Sequence, residues 1–418
     1  MDPNSRGWLH KMCEMVEPTD RGLGEIVLPG YEETLYRMVQ PSGIMYGHPV
    51  REIGQTRLVD LGSDTVSRMK LIFAESLIKT GGLSIENSCH PVSNDQVTEH
   101  LVPEIADFFL TMYPGLYQGS ATSYLKNPYY LAENLIGKRI TIQTSLIKNY
   151  LANLFHNSLL FMDVFFFGEW IRGLGSSNSS SLKQDSSRFR LTVLGIMALA
   201  ASADRKLQKE ERAMFEFYTE SAGLSSEMKR EARLLLSRFG KLSEVDLPDI
   251  DSWLIRKYLL EIAILVTLAD REFNESEQEF IKELGEKLKF SQDEVAASIL
   301  AVDGFVLENW EAMHYLLGKS SLEVISGRFR IKLKAFVDKN KHYVVQEIRE
   351  SKELFHLLGK SRTVTLTNYE KKIVNEQLID ILKTIPAFVI IALPFTFITL
   401  PTLLAILPKK AFPSSFQE

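Results

Sequence analysis

A chain of 418 residues exceeds what one hydrophobic core ordinarily organises, so two or three folding units are expected. With 45% hydrophobic and 24% charged residues, the composition excludes global disorder. The net charge is only -5, but it is unevenly spread, with a basic stretch from Lys319 to Lys383 following a clearly acidic earlier part. Two cysteines, Cys13 and Cys89, exclude a disulfide framework and leave no zinc site, which fits a reducing compartment. The first residues lack the basic and apolar regions of a secretory signal and are too acidic for an organellar presequence, so the bulk of the chain is expected in the cytoplasm.

Helical punctuation runs through residues 1–174, which read as an all-helical domain. Ser63-Asp64 opens an apolar-periodic run that Gly81-Gly82 should close, and Ser93-Asn94-Asp95 opens another that runs toward Tyr113-Pro114. The stretch from Leu159 to Gly168 is the most apolar of this part. It is interrupted by Asp163 and is too short to cross a bilayer, which takes about 20 residues, so it reads as a buried core helix. Residues 175–187 have the Gly, Ser and polar composition of a flexible linker, and a domain boundary is expected there.

An internal repeat follows in residues 188–317. Ala203-Asp204-Arg205 with Glu211 recurs as Ala269-Asp270-Arg271 with Glu277, each acidic turn lying between an apolar helix and an amphipathic one. An Asp at a helix C-terminus sits at the unfavourable pole of the helix dipole and needs a compensating partner. Two partners fit: the neighbouring Arg205 and Arg271, with Glu211 and Glu277 closing capping boxes onto Gln208 and Asn274, or a cation held by the carboxylates.

The repeat resembles the tellurite-resistance TerB-like family, an all-helical fold of two pseudo-symmetric halves, each with such an acidic turn and a downstream glutamate. The resemblance implies a divalent cation held by Asp204, Glu211, Asp270 and Glu277. Where the family usually has Gly after the Asp, this chain has Arg both times.

Residues 318–384 read as a basic helical stem. One long amphipathic stretch should run to about Lys360, and a second helix should begin at Thr367, with Glu370 completing a capping box. Ile385 to Leu407 carries no charge, and at 1.5 Å per residue this is about enough for the ~30 Å hydrocarbon core. A membrane segment over residues 385–408 is therefore expected, followed by a short tail, 409–418. Pro386, Pro394, Pro401 and Pro408 interrupt it at near-regular spacing, with Thr396, Thr399 and Thr402 beside the breaks to satisfy freed carbonyls. Both a kinked helix and a re-entrant hairpin fit. Lys371, Lys372 and Lys383 precede the run as juxtamembrane cations facing anionic cytoplasmic lipid, and a hairpin would bring Lys409 and Lys410 back to the same side.

The proline ladder, with Leu366-Thr367, Glu370 and Asp380-Ile381-Leu382-Lys383 upstream, resembles the membrane segment of the LETM family of mitochondrial inner-membrane proteins. That resemblance implies cation homeostasis and a ribosome-binding-like domain after the span. Here Phe397 occupies the position of the family's intramembrane acid, and only ten residues follow Pro408. The combination of the two resemblances matches a bacterial, LETM-related and biofilm-associated group.

No Walker loop, dinucleotide fingerprint, nucleophile elbow or zinc-protease helix occurs, and the eight histidines are scattered, so no catalysis is expected. The acidic side chains Glu347, Glu350 and Glu353 interrupt the basic stem, which argues against nucleic-acid binding. The leading expectation is an all-α, membrane-anchored scaffold or sensor at the bacterial inner membrane, with lipid and a protein as partners. The alternative is a LETM-like cation exchanger subunit or a ribosome-associated membrane protein.

Overall fold

The computed structural model describes residues 2–19, 28, 30–48, 50, 53, 65–86, 94–116, 127–140, 150–173, 179–201, 215–216, 219, 222, 224–237, 242, 245, 247, 250–269, 275–311, 321–361, 364–385, 388 and 398–412. Every regular element among them is helical, as the periodicity requires. The chain divides into two compact units, Met1–Thr267 with Asn274–Leu284 and Leu268–Phe273 with Gly285–Glu418.

The first unit is built on two long helices, α3 (Thr65–Glu86) and α6 (Tyr150–Arg172), packed along each other. Packed against them are α2 (Tyr31–Val39), α4 (Asn94–Met112) and α5 (Pro128–Ile140), while α1 (Trp8–Met15) lies on α5. Residues 159–168 of α6 are all buried, as their composition predicts, because a helix apolar all round has no face to give to water. Phe108 and Phe167 meet edge to face with ring centroids 5.6 Å apart, and Phe161 packs on Tyr258 at 4.9 Å.

Gly81 and Gly82 do not close α3, which continues through them to Glu86. A β-carbon on Gly81 would collide with Leu101, and one on Gly82 with the Pro18 carbonyl. These glycines serve close approach rather than termination, and surrounding packing offsets their poor helix propensity.

The stretch read as a linker also differs. Helix α7 spans Ser179–Ala201, so its polar residues form the opening turns of a helix. Lys183, Gln184 and Asp185 are exposed, whereas Ser186 and Arg190 are buried. Composition alone missed this because the serines solvate one side of a helix whose later turns are anchored on α6 and on α8 (Ser226–Ser237). The division into units falls instead after Thr267, near the end of α9 (Trp253–Ala269), and after Leu284 in α10 (Glu275–Lys287).

In the second unit, α11 (Gln292–Glu308) packs on α12 (Ser321–Lys339). The expected single basic helix is broken in three: α12, α13 (Lys341–Glu350) and α14 (Lys352–Lys360). The breaks lie at Asn340, whose amide donates to the Phe336 carbonyl at 2.8 Å, and at Ser351, whose hydroxyl caps the Leu354 amide. Helix α15 (Asn368–Lys383) starts where Thr367 and Glu370 place it, with both arms of the capping box formed: Thr367 N donates to Glu370 at 2.9 Å and Glu370 N to Thr367 at 3.3 Å.

Ile385 and Phe388 are fully buried, the latter with its ring 5.5 Å from Phe336. Residues 389–397, Pro394 among them, and Pro386 lie outside the described residues. Thr399 then precedes a short helix, α16 (Leu400–Ile406), which packs on α12 and α15 and buries Leu403 and Ile406. Pro401 sits in the first turn of α16, where the missing N–H has no intrahelical partner to lose, and Pro408 follows its end. These two prolines bracket a helix rather than kink one, and the Thr399 and Thr402 hydroxyls meet at 3.1 Å. Among the described residues no helix is long and apolar enough to cross a membrane.

Candidate functional site

The first unit's core holds charge. Asp163, midway along the apolar α6, is fully buried and accepts from Arg139 Nε of α5 at 2.8 Å and from Arg190 Nη2 of α7 at 2.9 Å. The Tyr113 hydroxyl donates to the same carboxylate, and both guanidiniums lie within 5 Å of its ring, at 4.8 and 4.9 Å from the centroid. Burial pushes the Asp163 carboxyl up to about 6 against the opposing pull of Arg139, and burial draws Arg190 down to about 10.

A second buried carboxylate, Glu261 of α9, accepts from the Tyr36 hydroxyl at 2.7 Å and the Tyr46 hydroxyl at 2.6 Å, with Lys257 Nζ 3.4 Å away. Its carboxyl is raised by burial and lowered less by Lys257, while both phenols are pushed well above their ordinary range by burial and by Glu261. Asp303 of α11 plays the same part in the second unit, held by Arg328 of α12 through a two-point contact whose Nε arm is 2.8 Å. Each carboxylate is engaged by its partners, so these networks fix helices to one another. The signal for them was in the chain: charged residues set within strongly apolar helical stretches, here Asp163 and Glu261.

Cys13 is half-buried and its thiol is pushed up to about 12, by burial first, which makes it inert. A surface cleft of about 670 Å³ lies beside it in sequence, between the N-terminal residues and α5. Its polar groups are engaged with one another: Glu133 accepts from the Gly7 and Leu9 amides at 3.2 and 2.9 Å, Lys70 donates to Asn4 at 2.7 Å, and Arg6 stacks on Tyr130. This cleft fastens the N-terminus.

The second unit carries a cleft of another character, about 790 Å³, between one face of α13 and the turn Lys409–Ala411 that follows the apolar run. Lys341, Val345 and Arg349 recur every four residues and so share a face of α13, with His342 beside them. Lys409 and Lys410 approach from the opposite wall, and Arg349 Nη2 donates to the Lys410 carbonyl at 3.4 Å. All five basic side chains are exposed, and none is ion-paired within the described residues.

Of the carboxylates expected to bind a cation, Asp204, Glu211 and Asp270 lie outside the described residues. Glu277 occupies the third position of α10, the place of a capping glutamate, and is 2% exposed. No group of three or more metal-ligating side chains comes together among the described residues. Lys371, Lys372 and Lys383 are exposed on α15; Lys372 pairs with Glu376 at 3.8 Å and Lys383 with Asp380 at 2.9 Å. Sequence reading did not single out Lys341, His342 and Arg349 as members of one site, since the opposite wall is far along the chain, 61 residues separating Arg349 from Lys410.

No family model, curated protein or solved structure matches the chain. The apolar run and the basic cleft at its end therefore carry the functional reading by themselves.

Proposed function

We propose that this protein is a scaffold or sensor that attaches to one face of a membrane through its uncharged run, with both ends of that run on the same side. A single observation carries the reading. The entrance to the run, at Ile385 and Phe388, and its exit, from Ile398 to Phe412, are packed into one helical unit, against α12, α15 and α13.

With both ends held there, the uncharged residues 389–397 are the part proposed to enter lipid. A chain reaches at most 3.3–3.6 Å per residue, so an out-and-back path of that length goes roughly 15 Å deep, about half of the ~30 Å core. Insertion into one leaflet follows, in place of a single pass. The residues concerned, VIIALPFTF, are uncharged and contain two phenylalanines, a composition suited to the headgroup and acyl boundary. Lys371, Lys372, Lys383, Lys409 and Lys410 then lie on one side, which removes the conflict that a span would create between cations at its two ends.

Flotation of the full chain with phospholipid vesicles tests the attachment. The protein rises with the vesicles, and Ile391→Asp/Phe397→Asp, which charges the run, stays at the bottom. Equal flotation of both would overturn the reading. Sidedness is read separately in sealed vesicles: Lys371→Cys and Lys410→Cys are both labelled by an impermeant maleimide added outside, whereas a single pass protects one of them.

A further inference from the structure

We infer that the cleft between α13 and the Lys409–Ala411 turn is a headgroup site for an anionic phospholipid; the inference rests on the membrane attachment proposed above and names the lipid class that attachment selects. Lys341, His342, Arg349, Lys409 and Lys410 converge on it, and among the described residues the one carboxylate in its lining, Glu350, accepts a hydrogen bond from Gln346 at 2.8 Å.

Like charges brought to one cleft repel unless an anion joins them. Here the fold brings them together: apolar packing of α16 fixes where Pro408 emerges, and the turn then delivers Lys409 and Lys410 to the face that carries Lys341 and Arg349. A volume of about 790 Å³ admits a phosphodiester headgroup. The Arg349 fork matches phosphate oxygens, and the lysines add point charges around it.

Position decides between lipid and a soluble anion. Pro408 both lines the cleft and ends the uncharged run, so the single short helix α16 joins the cleft to the residues proposed to enter a leaflet, and a lipid headgroup is the anion nearest at hand. Among the described residues the lining holds no aromatic ring other than the imidazole of His342, which disfavours single-stranded nucleic acid.

The test compares binding of the full chain to phosphatidylcholine vesicles with and without phosphatidylglycerol. The wild type binds the anionic vesicles more tightly. Lys409→Gln/Lys410→Gln removes most of that preference, by about five-fold per cation. Arg330→Gln/Lys334→Gln, which removes the same charge from the exposed side of α12 outside the cleft, retains it. Equal loss in the two variants makes the attraction diffuse and overturns the site. Binding to both vesicle types without preference overturns the site while the membrane reading stands; binding to neither overturns both. Inorganic phosphate, titrated against the His342 imidazole resonances, separates the sources: saturation by phosphate alone, with no preference among vesicles, makes this a soluble-anion cleft and overturns the lipid assignment.

Discussion

The interior of the first unit and the α13 cleft of the second hold similar residues in opposite circumstances. Around Asp163, two guanidiniums and a phenol close on one buried carboxylate. In the cleft, five basic side chains face water with no carboxylate paired to them among the described residues. Charge taken out of water must be matched within the protein, so the buried clusters are parts of the scaffold. Exposed charge of one sign costs little to keep unmatched, and only there can a partner from outside complete it.

Removing one member of a buried set is the largest expected effect. Asp163→Ala leaves Arg139 and Arg190 facing each other in the core, and chemical denaturation should show a loss of about 3–5 kcal/mol. A loss near zero would mean that the network is dispensable, and the contrast with the cleft would fail. The corresponding change in the cleft, Lys409→Gln/Lys410→Gln, should leave the denaturation midpoint in place.

The pH dependence sharpens the same contrast. Folding raises the Asp163 carboxyl from its ordinary range to about 6, so the folded state holds that proton more tightly than the unfolded chain. The stability from this group is fully present below the ordinary carboxylate range and is lost as pH rises through about 6. The difference in unfolding free energy between wild type and Asp163→Asn should therefore fall across that window, with the wild type losing ground as pH rises. A flat difference would show that Arg139 and Arg190 outweigh the cost of burial and keep the carboxylate charged throughout.

The smallest effect concerns a local signal. Thr367→Ala opens the capping box of α15 and should cost about 1 kcal/mol in the unfolding of the second unit. A loss of that size leaves the second unit folded, so vesicle binding should survive this change, whereas Ile391→Asp/Phe397→Asp should abolish it.

Local chemistry was legible in the chain. The helical class, the buried stretch 159–168, the opening of α4 at Asn94 and the capping box at Thr367 all depend on residues within a turn or two of one another, and each stands where the sequence places it. Gly81-Gly82 and residues 179–187 went the other way. The first pair is tolerated in mid-helix because Leu101 and Pro18 approach it, and the second is helical because α6 and α8 anchor the helix that it begins.

The uncharged run and its prolines could be read directly, but not where its two ends lead. That was decided by the packing of Phe388 on Phe336 and of α16 on α12 and α15, contacts between segments far apart in sequence. The convergence of Lys341, His342 and Arg349 with Lys409 and Lys410 has the same origin. A periodic pattern states which face of a helix is basic or apolar, whereas the identity of the opposite wall depends on how distant segments bury their apolar surface together, and that is a property of the folded unit alone.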